Sequence, residues 1–262
     1  MHWIIQNNIY NEDGFSSLID TLEILKLPYS IHKCIPFVGT LDPEPAPTQN
    51  RVIVMGSYTL AREAIRRNWN PGVFLNENFD ASIQLRHWGD LMMNADHGIY
   101  KFSQVPEQIN PFFIRPIHDS KAFTGEVTDW PTFTEWRDKV LSLTPEDNPT
   151  ITNDTEVLTS SVKEIYGEYR IWIVDGKAVA WSQYKVGRRK LKNYIPDVDE
   201  RIRNFAEKCA AIWSPHRAYV LDIFETPNGL FIGEVNNLNS AGFYAANMGK
   251  LIIALEEAFD AA

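Results

Sequence analysis

The amino-acid sequence predicts an α/β protein that becomes α+β in its C-terminal part. The first hundred residues alternate short apolar runs with amphipathic stretches, which is the pattern of βαβ units. After about Pro111 the strands lengthen, carry charged residues and are joined by tight turns, which indicates antiparallel hairpins. With 262 residues, the chain is long enough to bury a substantial core, as one large domain or two modest ones.

The individual elements follow from these patterns in order along the chain. Apolar runs predict strands at 3–6, 29–34, 51–55, 109–117, 169–174 and 178–184, and helical spacing predicts helices at 15–22, 59–66, 198–213 and 248–259. Asp175-Gly176 is the strongest hairpin signal, because both residues accept the positive φ angles of a tight turn. The Gly56-Ser57 turn is either a plain βα turn or a weak anion site.

Composition and charge limit the functional classes. Hydrophobic residues make up 44% and charged residues 23% of the chain, and no apolar run reaches the length of about 18 residues that a membrane span requires. The N-terminus lacks the features of a secretory signal, so we expect a cytoplasmic protein. The net charge of -9 disfavours nucleic-acid binding. Cys34 and Cys209 have no zinc-type spacing and are expected to be buried thiols.

One basic cluster departs from the negative charge of the chain. Residues 185–192 carry five cations, which are Lys185, Arg188, Arg189, Lys190 and Lys192. Such a run is either a solvated loop or a surface that captures anionic phosphates, and the sequence leaves both interpretations open.

Two carboxylates and an amide fall on a predicted hairpin near the C-terminus. Two apolar runs within residues 218–236 are joined by a Pro-Asn-Gly turn, which indicates an antiparallel pair of strands. A turn centred on Asn228 places Asp222 directly opposite Glu234, with both side chains on one face. Asn236 shares that face because strand side chains alternate with a period of two.

Carboxylates that face each other repel, so this pair requires a neutralising partner. Mg²⁺ prefers carboxylate and amide oxygens and completes its shell with water and substrate phosphates. The sequence therefore predicts a metal site at Asp222, Glu234 and Asn236. Two alternatives remain. A two-residue Asn228-Gly229 turn would put the carboxylates on opposite faces, and the hairpin could present only an exposed acidic surface.

These residues resemble the C-terminal part of ATP-grasp enzymes, in which an acidic residue and a Glu-x-Asn motif hold Mg²⁺. Further motifs are similar to the arginine-for-lysine clade of that superfamily, which phages often carry. They are Phe113-Ile-Arg115-Pro116 with Lys121-Ala-Phe-Thr-Gly125, Glu168-Tyr-Arg170, Ser182-Gln-Tyr184-Lys185, and Glu234-Val-Asn236 with Gly242-Phe-Tyr244. The similarity runs from about Phe112 to Tyr244, half of the chain, and several motifs in the right order are more specific than any one alone.

The resemblance implies roles for residues outside the hairpin. Arg115, where many relatives have lysine, and Lys121 would contact the ATP phosphates. Arg170 and Lys185 would neutralise the transferred phosphate as catalytic residues. A hinge strand at 156–162 would lie against the adenine, and the nucleotide contacts assigned to it and its end are Ser160, Ser161, Val162 and Glu164. Ser161 stands where relatives usually have an acidic residue, so the partner of the ribose stays open.

The cations also have ordinary interpretations. Arg115 lies inside an apolar strand, where a charge is costly unless it meets an anion, and a phosphate suits the guanidinium geometry. Pairing of Arg115 with an internal carboxylate remains as an alternative. Lys121 could be solvated, and Arg170 could pair with a carboxylate on a neighbouring strand.

The resemblance also implies a division of the chain. Residues 1–108 would form a Rossmann-like pre-ATP-grasp domain that helps to bind the second substrate. Residues 109–262 would form the ATP-grasp domain, with a small β subdomain at about 109–183 and a metal-binding subdomain at about 184–262. We expect a monomer or a homodimer.

The reaction of the family activates a carboxylate as an acyl phosphate, which an amine then attacks, with ATP and Mg²⁺, or Mn²⁺ in its place. The expected partners are therefore ATP, a carboxylate-bearing small molecule or peptide, and an amine acceptor, without nucleic acid or membrane. An ATP-grasp kinase and a non-catalytic nucleotide-binding module remain as alternatives. His118, between Arg115 and Lys121, is the histidine most worth mutating.

Overall fold

The structure, a computed structural model, describes residues 1–9, 13–35, 38–46, 51–74, 80–118, 122–147 and 149–260. The chain forms two compact units, Met1–Asn76 with Ile165–Ala262 and Glu77–Glu164. The domain boundary suggested at residue 108 falls inside the second unit, and the domain limits of the family fold stay a prediction. None of the described helices has the length and apolar character needed to cross a bilayer.

The first unit begins with a mostly parallel sheet. Its elements are β1 (His2–Gln6), α1 (Asp13–Ile24), β2 (Tyr29–Cys34), β3 (Leu41–Asp42), β4 (Arg51–Met55), α2 (Tyr58–Arg66) and β5 (Asn70–Gly72). Among the described residues the strand order is β3-β2-β1-β4-β5, and only β3 runs antiparallel to its neighbour. The strands and helices predicted for this part of the chain are confirmed.

Side chains and backbone of the protein itself fill the turn between β4 and α2. Ser57 caps α2, because its hydroxyl accepts the Leu60 N–H at 3.5 Å. Gln6 Oε1 accepts the backbone N–H of Ser57 at 2.9 Å and its hydroxyl at 2.8 Å. The Gly56 N–H donates to the carbonyl of Asn239 at 2.8 Å. These bonds favour a plain βα turn over an anion site.

The second unit is built on an antiparallel sheet. Its elements are α3 (Ala81–Trp88), β6 (Gly98–Lys101), β7 (Phe112–Pro116), β8 (Glu126–Thr128), α4 (Trp130–Leu141) and β9 (Glu156–Ser161). Within its described part the strand order is β6-β9-β7-β8. Aromatic rings fill its core, where Phe102 and Phe133 meet edge to face with centroids 5.3 Å apart. Asp129 caps α4 by accepting the Thr132 N–H at 2.9 Å.

The chain then returns to the first unit and adds a second sheet. Its elements are β10 (Gly167–Val174), β11 (Lys177–Val186), β12 (Arg189–Ile195), α5 (Glu200–Ile212), β13 (Ala218–Thr226), β14 (Gly229–Asn236) and α6 (Met248–Asp260). The described strands lie in the antiparallel order β12-β11-β10-β13-β14, and β10 is buried along its whole length. Asp175 and Gly176 have φ angles of 46° and 78°, which confirms the predicted tight turn.

One hydrophobic core joins the two sheets of the first unit. Trp3 from β1, Leu18 from α1, Trp172 from β10 and Leu251 from α6 are all fully buried in it. The Trp3 indole N–H donates to the Glu256 carboxylate on α6 at 2.7 Å. The central strands of the second sheet are therefore fixed on one face, and their polar residues are held in place by this packing.

The hairpin β13–β14 has the predicted carboxylate pairing. Asp222 lies opposite Glu234. The turn itself differs from the prediction, because Thr226 pairs with Gly229 and leaves a two-residue Pro-Asn turn rather than one centred on Asn228. Continued without interruption, that register would place the two carboxylates out of step by one residue.

A β-bulge at Gly233 restores the pairing. Ile223 pairs with Ile232, whereas the next pair is Asp222 with Glu234, so Gly233 is the one extra residue on β14. This bulge, together with the turn, decides which residue faces Asp222.

Glycine at position 233 leaves room for an aromatic ring. A Cβ atom at Gly233 would lie 2.3 Å from the Phe224 ring. We therefore expect Gly233→Ala to lower the free energy of unfolding by about 1 to 3 kcal/mol, the usual cost of overpacking, as measured by urea denaturation.

Two variants serve as controls for Gly233→Ala. Gly249→Ala in α6 meets only the Asn247 side chain at 3.4 Å, so it should cost nothing or stabilise slightly. In a Phe224→Leu background, the cost of Gly233→Ala should fall, because the colliding ring is gone. An undiminished cost in that background would contradict the ring collision.

Candidate active site

A buried ion pair joins the central strands β10 and β13. Arg170 and Asp222 are cross-strand neighbours. The guanidinium donates a hydrogen bond to each carboxylate oxygen, from Nε at 2.9 Å and from Nη2 at 2.8 Å. Asp222 is 1% exposed and Arg170 is 8% exposed. Burial opposes the charge of Arg170, but the carboxylate of Asp222 outweighs it, and the pKa of Arg170 is raised. Arg170 thus has the cross-strand carboxylate partner that the sequence offered as an alternative.

Further polar groups converge on this pair. The Asn236 side-chain N–H donates to Asp222 Oδ2 at 3.2 Å, and the Tyr184 hydroxyl reaches the same oxygen at 3.5 Å. Arg170 Nη1 donates to the carbonyl of Gly242 at 3.4 Å. We call Arg170, Asp222, Tyr184 and Asn236 the Asp222 cluster.

Aromatic rings cover the guanidinium of Arg170. The rings of Tyr184 and Tyr244 stack with centroids 4.9 Å apart and an interplanar angle of 14°. The guanidinium carbon lies 4.8 Å from the Tyr244 centroid and 5.5 Å from that of Tyr184. Burial raises the pKa of both phenols. Tyr244 has a φ of 50°, a backbone conformation that a bulky residue rarely adopts, so its place above Arg170 is held against local strain.

A second ion pair lies across the neighbouring strands β10 and β11. Lys185 and Glu168 are cross-strand partners, and the ammonium group of Lys185 bonds to Oε1 of Glu168. The Glu168 side chain is 8% exposed, whereas that of Lys185 is 33% exposed. Lys185 therefore keeps access to solvent while its position is fixed by a buried carboxylate.

The donors at the Asp222 cluster fit a hard divalent cation. Asp222 Oδ1 accepts one bond from Arg170, and a carboxylate oxygen has a second lone pair for a metal ion. The amide of Asn236 presents its nitrogen to Asp222, and a rotation of that amide would present its oxygen instead. Glu234, on the facing strand, is exposed. Among the described residues, no group of three acidic, histidine or cysteine side chains is placed to hold a metal ion. An ion bound at Asp222 would therefore lie beside the positive charge of Arg170.

The candidate phosphate and hinge residues lie in the second unit. Arg115 lies on β7, half-buried, and its Nε donates to the Pro116 carbonyl at 3.3 Å. No described carboxylate forms an ion pair with Arg115. Lys121 lies outside the described residues.

The hinge strand β9 is held by polar contacts. The buried Ser160 hydroxyl donates to Asn94 Oδ1 at 2.9 Å. The Ser161 N–H donates to Asp96 Oδ2 at 3.2 Å, and Lys163 contacts the same oxygen at 2.6 Å. Burial acts against the charge of Asp96, but Lys163 and Ser161 outweigh it, and the pKa of Asp96 is lowered. Val162 and Glu164 follow the strand and are exposed.

His118 lies between two carboxylates. Its Nδ1 is 2.9 Å from Asp80 Oδ2, and its Nε2 is 3.3 Å from Glu156 Oε2. The hydrogen bond to Asp80 raises the pKa of His118, and Glu156 adds to the effect. The histidine is thus an exposed residue that links two carboxylates of the second unit.

Several residues in these contacts were given no role from the sequence. Glu168, Tyr184 and Tyr244 belong to the matching motifs, but nothing in the sequence indicated their contacts with Lys185 and Arg170. Asp96 had no signal at all, yet it places a carboxylate against Ser161. A partner contributed from 65 residues away cannot be read from local spacing.

Removal of the Asp222 charge tests the ion pair. We expect Asp222→Asn to lower the free energy of unfolding by about 3 to 5 kcal/mol, because it leaves the charge of Arg170 buried without its partner. Urea denaturation measures the loss.

Asp175→Asn is the matched control, because Asp175 pairs with Arg217 at 2.7 Å but both side chains are about half exposed. An exposed pair contributes about 1 kcal/mol or less. Equal losses from the two substitutions would contradict a buried, mutually dependent pair.

Comparison with known proteins relates this geometry to a family. Residues 58–255 match the model of an ATP-grasp domain, family 3 of the arginine-for-lysine clade. Curated protein sequences give no significant match. Among solved structures, the ATP-grasp ligase PsnB complexed with minimal precursor aligns over 98% of each chain with a TM-score of 0.60 and 12% identity.

Two further solved structures share the fold. The D-alanine-D-alanine ligase from Coxiella burnetii covers 100% of this chain and 96% of its own, with a TM-score of 0.63 and 12% identity. A RimK domain ATP-grasp protein from Sphaerobacter thermophilus DSM 20745 covers 99% and 96%, with a TM-score of 0.58 and 12% identity. The family model spans more than half of the chain, so this protein belongs to the arginine-for-lysine clade of the ATP-grasp superfamily.

Proposed function

We propose that this protein is an ATP- and Mg²⁺-dependent ligase that activates a carboxylate as an acyl phosphate and joins it to an amine. The observation that carries the proposal is the Asp222 cluster, which combines metal-type oxygen donors with a fixed guanidinium in a chain of the ATP-grasp family. A binding-only module has no need of so costly a buried charge arrangement.

The proposed reaction has two steps that need no nucleophilic side chain. A substrate carboxylate oxygen attacks the γ-phosphorus of ATP, and the bond to the ADP oxygen breaks. The amine then attacks the acyl carbon, and the bond from that carbon to the bridging oxygen breaks. Phosphate leaves with the bridging oxygen, and the amine loses a proton. The protein contributes by orienting the reactants and by stabilising the negative charge on the transferred phosphate.

The two cations of the first unit have different proposed roles. Lys185 is one-third exposed and uses one of its donors on Glu168, so it retains N–H groups for the transferred phosphate. The Arg170 side chain is only 10% exposed and is bound to both oxygens of Asp222, which supports a positioning role for it. Bound Mg²⁺ would neutralise phosphate charge, with Asp222, Glu234 and Asn236 as its proposed donors.

The nucleotide contacts carried over from the family remain proposals. They assign Arg115 and Lys121 to the phosphates, and the residues at the hinge, Ser160, Ser161, Val162 and Glu164, to adenine and ribose. Asp96, held against Ser161, is a further candidate for the ribose hydroxyls. We place the enzyme in the cytoplasm, where ATP and Mg²⁺ are available.

Known structures guide the choice of substrate to test. PsnB has been solved with a minimal precursor, Mg and ADP and also with a precursor peptide, and another structural neighbour is a D-alanine-D-alanine ligase. Peptides and amino acids with a free carboxylate are therefore the first candidates for this chain.

Hydroxylamine trapping tests the acyl phosphate directly. The protein is incubated with ATP, Mg²⁺ and a set of amino acids and short peptides. We expect ADP to be released only when a substrate with a free carboxylate is present. When hydroxylamine replaces the amine, the acyl phosphate should be converted to a hydroxamate. Lys185→Met should lower this rate roughly 100-fold, because a donor to the developing charge is lost.

Lys177→Met, which changes an exposed lysine at the start of β11, serves as the control and should leave the rate unchanged. A stable phosphorylated product without hydroxamate would favour an ATP-grasp kinase. ADP release at the same rate with and without the carboxylate substrate would contradict both the ligase and the kinase interpretation.

A further inference from the structure

An exposed basic patch lies on the β11–β12 hairpin, on the strand whose Lys190 also lies 5.6 Å from the Tyr244 ring. It consists of Arg188, Arg189 and Lys192, all of them exposed or half-buried at the hairpin surface. In the part of the chain that the structure describes, no carboxylate forms an ion pair with any of the three. Lys190, between them, lies over the Tyr194 ring at 5.8 Å. The patch is thus a local concentration of positive charge on a chain with a net charge of -9.

The patch coincides with an open sheet edge. β12 stands at the end of the order β12-β11-β10-β13-β14, and no described strand pairs with its outer side. Each residue of β12 is exposed or half-buried. An edge strand presents backbone N–H and C=O groups that a further strand can pair with.

The cations follow one another along this edge. Arg188 lies in the turn before β12, Arg189 is the first residue of the strand, and Lys192 lies in the stretch where the register with β11 shifts. A partner strand beside β12 would therefore meet several cations in succession. Carboxylates along that partner would match this charge.

We propose that the outer edge of β12 binds an acidic peptide, which adds to the sheet as an extended strand and pairs its carboxylates with the basic patch. The acidic remainder of the protein repels such a peptide elsewhere, which confines it to this edge. The peptide extends the proposed function by naming a partner. Binding of the peptide requires neither ATP nor Mg²⁺. Only a role of the bound peptide in ligation rests on the proposed function.

Fluorescence anisotropy with a labelled peptide of eight glutamates tests the proposal on the full chain without nucleotide. We expect this peptide to bind and a peptide of eight glutamines not to bind. The variant Arg188→Glu, Arg189→Glu, Lys192→Glu should weaken binding roughly tenfold or more, from the loss of three ion pairs. Methylation of alternate peptide amides should weaken it comparably, because strand pairing needs those donors.

A charge-matched variant separates the patch from general electrostatics. Arg62→Glu, Lys139→Glu, Lys208→Glu changes the net charge equally at exposed sites on three helices, and it should bind like the wild type. Equal weakening by both triple variants would overturn the proposal. So would binding that survives amide methylation, since charge alone would then explain it.

Two other results would also overturn the proposal. Absence of glutamate-peptide binding would leave the cations as a charged edge that only prevents strand-to-strand aggregation. If inorganic triphosphate binds to the patch and the peptide does not bind, the patch is a phosphate site. The melting temperature of each variant reports its folding, and the increase of that temperature with Mg²⁺ and ADP reports nucleotide binding. A peptide that does not bind would therefore leave the ligase proposal intact.

Discussion

The ion pair between Arg170 and Asp222 is the interaction on which the candidate site depends. Two charges buried between central strands are tolerable only because each satisfies the other with paired hydrogen bonds, and because aromatic rings cover the guanidinium. The pair places a carboxylate deep in the sheet. Asn236 and Tyr184 gather around that carboxylate, and the neighbouring Lys185–Glu168 pair repeats the arrangement at a more exposed position.

This pairing also changes how the opposed carboxylates of the hairpin are to be understood. Asp222 and Glu234 face each other across β13 and β14, and their repulsion required a cation. The structure supplies an internal one, Arg170. A metal ion at Asp222 would therefore join an existing cation rather than fill a purely anionic site, and nucleotide phosphates would be needed to balance the combined positive charge.

The sequence predicted the elements well where a local pattern determines them. The βαβ beginning, the Asp175-Gly176 turn and the amphipathic helices α5 and α6 all follow from periodicity or turn chemistry. The opposition of Asp222 and Glu234 was right although the assumed turn was wrong, because a bulge compensates for the shorter turn. The contacts of Tyr244 and Asp96 depend on tertiary structure and leave no local signal. Gly233, in contrast, is a glycine inside a strand pattern, which is a local signal for a bulge that the predicted pairing did not use.

Calorimetric titration with ADP, in the presence and absence of Mg²⁺, tests whether Asp222 and its neighbours form the metal site of a nucleotide-using enzyme. We expect Mg²⁺ to strengthen ADP binding to the wild type. In Asn236→Ala, which leaves the buried ion pair intact, that gain should be largely lost while metal-free ADP binding persists. A gain from Mg²⁺ that is the same in both proteins would contradict the assignment.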